Sequence, residues 1–236
     1  MKDHKESLIL DHLLDDIVSG KYRENDKLPS ENELADLYHA TRITIRKVYN
    51  RLEEMGYLYS KQGKGRYLKD KQQKIDLHLS GSVSFSEKMK GKGYDFYSKN
   101  LFCQEIEYNE KIYSELGIEE SDKVYKIGRL RFINNKPIAL HVSYVAQSVF
   151  KEIHREGEAI KSMFEYYRSK GYKKFDSSKN ILSVSFPTHF EREIFECTNL
   201  IPMLILEGNC LDMISGKILE FSKIIYRGDV FKYQIK

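Results

Sequence analysis

Residues 41–56 have the sequence TRITIRKVYNRLEEMG, and this stretch decides the fold of the N-terminal part of the chain. Its apolar positions fall on one face of a helix, at Ile45, Val48, Tyr49, Leu52 and Met55. Thr41 is suited to cap the first turn, and Gly56 is suited to end the helix. With the apolar face buried, the exposed start of the helix carries Arg42, Thr44, Arg46 and Lys47.

Two shorter helical patterns precede this helix. The first runs from Leu8 to Val18 and ends at Gly20. The second opens at Ser30-Glu31-Asn32-Glu33, which has the form of a capping box. Two helices joined by a turn of about three or four residues form a helix-turn-helix, whose second helix enters the major groove of DNA. Arginine suits that place because its planar fork bonds the edge of a guanine or clamps a phosphate.

A basic hairpin is predicted after the helix-turn-helix. Two short β-prone runs flank the tip KQGKGR at residues 61–66. Glycines in such a tip let the backbone approach DNA closely, and Lys61, Lys64 and Arg66 would add phosphate contacts. A hairpin in this position is a wing, so the first part of the chain is expected to be a winged helix-turn-helix.

Charge is distributed unevenly in the same region. Residues 1–41 contain five Lys/Arg and ten Asp/Glu, a net charge of −5. Residues 42–74 contain ten Lys/Arg and three Asp/Glu, a net charge of +7. A positive block beside an acidic block in a small unit indicates a surface that meets a polyanion, although a solvated charged face is the alternative. Because the positive block coincides with the predicted helix and wing, double-stranded DNA is the expected partner.

Composition excludes several other classes of protein. The chain has 236 residues, 41% hydrophobic and 31% charged, enough to form one large domain or two smaller ones. No segment approaches the roughly 20 apolar residues of a membrane span, and the start of the chain does not read as a signal peptide. The three cysteines form no CxxC pair, and the seven histidines are scattered without ligand spacing. We therefore expect a cytoplasmic protein without metal, cofactor or membrane partner.

The C-terminal part mixes strands and helices. Two hairpins are predicted, 124–133 with 138–145 around Asn134-Asn135, and 204–211 with 218–226 around Ser215-Gly216. Helices are predicted at 84–91, 109–116, 162–170 and 187–198. Consecutive hairpins with interspersed helices predict an α+β domain built on an antiparallel sheet. The expected organisation is a DNA-binding domain at 1–70, a linker at 71–78 and a second domain at 79–236.

One predicted strand of the second domain carries two arginines on the same face. Arg129 and Arg131 alternate in a mostly apolar run, so a negative group must accompany them if that face is buried. Surface or internally paired arginines are the alternative. The stretch Ser84-Phe85-Ser86 begins a predicted helix whose first amides favour an anion. Together the two features would hold one phosphate or carboxylate.

The N-terminal motifs resemble the winged helix-turn-helix of GntR-type bacterial repressors. The matching stretches are LPSE at 28–31, ELA at 33–35, TRITIRK at 41–47, GYL at 56–58 and GKG at 63–65. The chain departs from the family at Asn32, where Arg is frequent, and at Arg66, where Thr is frequent. The residues expected to contact DNA are Asn32, Arg42, Thr44, Arg46, Lys47, Gly63, Lys64 and Arg66.

The C-terminal part is similar to the UTRA effector-binding domain of the HutC branch of these regulators, whose fold is related to chorismate lyase. The matching pieces include Ser84-Phe85 with Gly93, the stretch 129–131, and 216–220 leading to 226–229. The effector-binding set implied by the resemblance is Ser84, Phe85, Arg129, Arg131, His141, Ser162, Phe164, Glu220 and Tyr226. The family often has an acid at the position of His141, and core packing is the alternative role for Phe164 and Tyr226.

The resemblance implies a homodimeric transcription factor, expected to be a repressor, that reads a palindromic operator. A small anionic metabolite, expected to be a phosphorylated sugar, would control it. Three alternatives remain at this stage: an effector that is a non-sugar carboxylate, a lyase-like enzyme domain, and a protein that coats DNA without specificity. The sequence contains no Walker loop and no GxSxG elbow to support an enzyme.

Overall fold

The computed structural model describes residues 2–69, 74–78 and 85–234. They divide into two compact units. Of these residues, the first unit contains those up to Lys74 together with 186–188 and 197–201, and the second contains those within 75–185 and 189–196 and those from Pro202 onward.

The first unit consists of three helices and a hairpin. The helices are α1 (Lys2–Val18), α2 (Glu31–Leu37) and α3 (Arg42–Glu54), and the hairpin strands are β1 (Leu58–Lys61) and β2 (Gly65–Leu68). Ser30 and Glu33 form the expected capping box, and the hydroxyl of Thr41 accepts from the amide of Thr44. Local sequence signals thus set the starts of α2 and α3.

The apolar face of α3 forms the centre of the first unit. Ile45, Val48, Tyr49 and Leu52 are buried there, as the helical spacing predicted. They share one cluster with buried side chains of α1 and α2, among them Leu13. Burying one such side chain contributes about 1.5–3 kcal/mol, so tertiary packing holds α3 in place more than its intrinsic helix propensity does.

The second unit is built on an antiparallel sheet. Its elements in chain order are β3 (Ile75–His78), α4 (Phe85–Gly91), β4 (Phe96–Ile106), α5 (Glu110–Leu116), β5 (Val124–Ile133), β6 (Lys136–Ala146), α6 (Ile153–Glu156), α7 (Met163–Ser169), β7 (Phe175–Asp176), β8 (Asn180–Ser185), α8 (His189–Phe195), β9 (Met203–Asp212), β10 (Ile218–Arg227) and β11 (Phe231–Gln234). Within the described residues the strand order is β4-β5-β6-β10-β9-β7, and β8 also pairs with β9. Both predicted hairpins are present, as β5–β6 and β9–β10.

The predicted linker needs a correction. Residues 75–78 form β3, which pairs in parallel with β11, so that Ile75 lies opposite Phe231. Residues 70–73 lie outside the described part of the chain. The predicted helix at 187–198 is also too long, since α8 begins at His189 and ends at Phe195. None of the described helices has the length and apolar run needed to cross a bilayer.

Candidate functional site

The start of α3 is basic and exposed, as the sequence predicted. The side chains of Arg42 and Arg46 are 62% and 56% exposed, and they stand one helical turn apart. Lys47 is also exposed, with its Nζ 3.8 Å from a carboxylate oxygen of Glu6. The hydroxyl of Thr44 is hydrogen-bonded to that of the capping Thr41 at 2.9 Å. This end of α3 therefore presents cations on a backbone fixed by its cap.

Three arginines lie within 4.0 Å of the carboxylate of Glu31, the first residue of α2. Nε of Arg46 lies 3.2 Å from both carboxylate oxygens, and its Nη2 donates to Oε2 at 3.0 Å. Nη1 of Arg66 donates to Oε1 at 2.9 Å, and Nη2 of Arg42 lies 4.0 Å from Oε2. The hydrogen bonds from Arg46 hold the pKa of Glu31 below its usual range, although partial burial acts in the opposite direction.

Exposure separates the three arginines into two kinds. The side chains of Arg42 and Arg46 are more than half exposed, so each turns part of its guanidinium to solvent. The side chain of Arg66 is only 17% exposed. It also donates to Oδ1 of Asn50 at 2.9 Å, and its guanidinium lies 4.9 Å from the ring centre of Tyr49. Arg66 therefore ties β2 to both helices of the motif.

The remaining residues predicted to contact DNA lie on the surface. Asn32 is exposed on α2, and Lys64 is exposed at the tip between β1 and β2. Gly63, at the same tip, has a φ of +69°, a conformation that favours glycine, and open space where a Cβ would stand.

In the second unit, polar side chains lie on one face of β5, β6 and β10. Arg129 on β5 is directly opposite His141 on β6, and Arg131 follows on the same face because side chains alternate along a strand. Arg129, Arg131, His141 and Glu220 are all buried, with 2% and 6% of the two arginines exposed. Nη2 of Arg129 donates to the hydroxyl of Ser143 at 2.7 Å.

His141 links Arg131 to Glu220 through its two ring nitrogens. A guanidinium can only donate, so Nδ1 of His141 accepts from Nη2 of Arg131, and the ring proton is assigned to Nε2. Nε2 lies 3.1 Å from Oε1 of Glu220, and the hydroxyl of Tyr167 donates to Oε2 at 2.8 Å. Burial, reinforced by the two arginine charges, lowers the pKa of His141 to about 3. His141 is therefore neutral at physiological pH.

Two arginine nitrogens on the buried face are unsatisfied hydrogen-bond donors among the described residues. Nε of Arg129 and Nη1 of Arg131 have no hydrogen-bond partner among the described residues. An unsatisfied buried donor costs about 1–3 kcal/mol, and more when it is charged. Burial lowers the pKa of Arg131 to about 10, which still leaves it charged at neutral pH. With neutral His141 and one carboxylate, the two arginines give this face a net charge of +1, which suits an anion.

An aromatic ring packs against one of these arginines. The guanidinium of Arg131 lies 4.4 Å from the ring centre of Phe85 at the start of α4, and Phe85 lies 5.9 Å from the ring of Tyr226. A ring beside a desolvated guanidinium is a favourable cation–π contact. The structure therefore brings Phe85 and Tyr226 together with the buried polar residues.

Two other predicted effector residues make different contacts in the described part of the chain. Phe164 packs on Phe175 and on Tyr167 in an apolar cluster, and the hydroxyl of Tyr167 in turn donates to Glu220. Ser162 caps α7 by accepting from the amide of Glu165 at 3.4 Å. Ser84 lies outside the described residues.

The sequence interpretation missed Ser143 and Tyr167. Ser143 follows His141 by two residues on β6. Strand alternation therefore places the two side chains on the same face and could have identified Ser143. For Tyr167 the sequence shows only helical spacing from Met163, which is typical of a core position.

Two known families match the chain. The UTRA domain family matches residues 91–232, which is more than half of the 236 residues. The family of bacterial regulatory proteins, gntR family, matches residues 6–68. The fold and the two sites define the class as a DNA-binding transcriptional regulator with an effector-binding domain. The chain belongs to the GntR regulators that carry a UTRA domain, the HutC type.

Individual relatives support the same class. The chain is 27% identical over 225 residues to the HTH-type transcriptional repressor NagR of Bacillus subtilis (strain 168), a match that covers 95% of this chain and 91% of that protein. It is 25% identical over 231 residues to the mannosyl-D-glycerate transport/metabolism system repressor MngR of Escherichia coli (strain K12), covering 96% and 93%. The family to which the chain belongs, and these relatives, are transcriptional regulators rather than enzymes.

A solved structure matches the fold. The crystal structure of PhnF from Mycobacterium smegmatis aligns with a TM-score of 0.62 at 20% identity, and the alignment covers 94% of this chain and 96% of that one.

Proposed function

We propose that this regulator is a homodimeric repressor that binds a palindromic operator and responds to a phosphorylated sugar. The observation that carries the effector class is the pair of unsatisfied nitrogens on Arg129 and Arg131, on a buried face of net charge +1. A phosphate group brings three acceptor oxygens and up to two negative charges, which suits two unsatisfied cationic donors. The hydroxyls of the sugar would donate to the carboxylate of Glu220, which His141 holds in place through Nε2.

Two names among the relatives support a sugar derivative and repression. NagR and MngR are both described as repressors, and the name of MngR refers to mannosyl-D-glycerate, a sugar derivative. Mannosyl-D-glycerate carries a carboxylate, so a carboxylate effector is the second candidate. A carboxylate has two acceptor oxygens and one charge, and it would leave more of the donor capacity of the arginines unused.

In the first unit, we assign DNA contact to the exposed basic surface. Arg42 and Arg46 would enter the major groove, since they stand on the first turns of α3. The supporting contacts would come from Asn32, Thr44, Lys47, Gly63 and Lys64. Arg66 would act mainly by holding the wing, because its guanidinium is mostly buried and donates to Glu31 and Asn50. A protein that binds the chromosome works in the cytoplasm, which is the location we propose.

The edge strand β8 supports a homodimer. Its residues Ile181, Leu182 and Val184 are exposed, and alternation places them on both faces of the strand. An exposed apolar edge strand tends to pair with another chain. A second copy of this chain is the occupant that a palindromic operator requires, since two-fold DNA sites match two-fold proteins.

A thermal-shift screen tests the effector class. The full chain would be heated with glucose 6-phosphate, glucosamine 6-phosphate, the matching unphosphorylated sugars, and gluconate. Ligand present at 100 times its Kd stabilises the native state by about 2.7 kcal/mol, which is a shift of several degrees. We expect a shift with a phosphorylated sugar and none with its unphosphorylated match. A shift with gluconate alone would favour the carboxylate.

A further inference from the structure

Glu31 occupies a fixed position between the two helices and the wing of the DNA-binding unit. Its backbone stands inside the capping box, where the amide of Ser30 donates to Glu33 at 2.6 Å and the amide of Glu33 donates to the Ser30 hydroxyl at 3.2 Å. The capping box does not use the Glu31 side chain, which reaches Arg46 on α3 and Arg66 on β2. One carboxylate therefore joins α2, α3 and the wing.

The pair between Glu31 and Arg46 uses only one edge of the guanidinium. Nε and Nη2 face the carboxylate at 3.0–3.2 Å, so two of the five N–H groups of Arg46 are engaged. The outer end of the guanidinium keeps N–H groups on both Nη atoms, and two such donors can form a bidentate pair with a guanine. Because Arg46 is more than half exposed, this outer end is accessible to DNA while Glu31 holds the first edge.

Arg66 anchors the carboxylate from the other side. Its Nη1 donates to Glu31 and its Nη2 donates to Asn50, whereas its Nε, 3.2 Å from Glu53, has no hydrogen-bond partner among the described residues. A largely buried partner held by two hydrogen bonds cannot move easily, so Glu31 is a rigid support for the exposed Arg46. A flexible arginine loses much rotamer freedom on binding, and a rigid partner removes that freedom before DNA arrives.

We infer that Glu31 is a positioning residue that gives the regulator its preference for the operator over random DNA. This inference rests on the proposed function of Arg46 in contacting DNA. On an operator, Arg46 binds a base edge with its outer donors while Glu31 keeps the side chain aligned. On random DNA the available partners are phosphates, and the negative charge of Glu31 competes with them for the same guanidinium and repels them.

Variants of Glu31 test this role in the full-length protein. A preferred duplex would be selected by the wild-type protein from a random pool, and a scrambled duplex of the same composition would serve as random DNA. Kd would be measured for both at KCl concentrations from about 50 to about 200 mM. We expect Glu31→Gln to bind scrambled DNA more tightly and to lower the ratio of the two affinities about tenfold. The slope of log K against log salt on scrambled DNA should steepen by about 0.9, for one added phosphate contact.

Glu53→Gln is the matched control, because it removes the other carboxylate beside Arg66 and leaves the pair between Glu31 and Arg46 intact. It should keep the wild-type affinity ratio. If Glu31→Gln does not fold, Glu31→Asp keeps the charge but is one methylene too short to reach both arginines. That variant should lose preference without gaining affinity for scrambled DNA.

The outcomes separate the two proposals. An unchanged ratio in the Glu31 variants, or an equal loss in Glu53→Gln, would overturn the positioning role while leaving the proposed function in place. A wild-type protein that selects no preferred duplex would overturn the proposed function itself.

Discussion

Each unit places arginines around one carboxylate, but the two clusters differ in their exposure to water. The α3 arginines beside Glu31 are more than half exposed, whereas those on β5 near Glu220 are buried. An exposed ion pair contributes about 0–1 kcal/mol, and removing one partner of a buried pair costs about 3–5 kcal/mol. The exposed cluster therefore has donors that face solvent, and we propose that a polyanion binds there beside Glu31. The buried cluster keeps its counter-charge, and a small anion would complete it.

Breaking an ion pair in each cluster should show this difference in stability. Glu220→Gln leaves two buried guanidiniums without a carboxylate, and we expect it to lower the free energy of unfolding by about 3–5 kcal/mol. Arg46→Ala, which breaks an exposed pair, should lower it by less than about 1 kcal/mol. Urea unfolding followed by circular dichroism measures both. Similar losses in the two variants would show that burial does not distinguish the clusters.

The exposed cluster should instead show its importance in DNA binding. Arg42→Ala should weaken binding to the selected duplex by about 1–3 kcal/mol if Arg42 reads a guanine. The thermal stability of this variant should stay close to that of the wild type, because the side chain is 62% exposed. A gel shift against the selected and scrambled duplexes provides the measurement. Unchanged binding would place Arg42 away from the DNA.

The buried cluster should make stability depend on pH. His141 has an ordinary pKa of 6.5 and a native pKa of about 3, so the unfolded chain takes up its proton first as the pH falls. The free energy of unfolding should therefore fall below pH 6.5, by up to about 1.4 kcal/mol per pH unit. Below pH 4.5 Glu220 acts in the same direction. Although burial alone would raise the pKa of Glu220, its hydrogen bond to His141 and the nearby positive charges lower it to about 2.

His141→Asn isolates this contribution. The Asn amide can accept from Arg131 and donate to Glu220 but does not titrate. Urea unfolding of wild type and variant between pH 6.5 and 4.5 should show a smaller decrease in the variant. Equal decreases would mean that His141 is already protonated in the native state.

Local patterns predicted the N-terminal unit better than the second one. The buried face of α3 and the capping box at Ser30 follow from residues within one or two turns of each other, which a sequence pattern contains. The parallel pairing of β3 with β11 joins Ile75 to Phe231, and no local pattern contains that contact.

The same limit applies to the sites. Strand alternation predicted that Arg129 and Arg131 share a face. The link from Arg131 through His141 to Glu220 depends on the register of β5, β6 and β10, which tertiary packing sets. Likewise, the sequence predicted that Arg66 contacts phosphates from the wing. The fold shows its guanidinium packed against Glu31, Asn50 and Tyr49.

The most direct measurement titrates the full-length protein onto its selected duplex with and without the sugar phosphate that gives the largest thermal shift. Coupling between two sites in one regulator typically changes affinity about 5- to 150-fold. We expect a change in this range for the wild type. A variant with Arg129→Ala and Arg131→Ala should keep its affinity for the duplex and lose the response. A wild-type response in that variant, or a wild type unresponsive to every phosphorylated sugar tested, would contradict the proposed control of DNA binding by a buried anion.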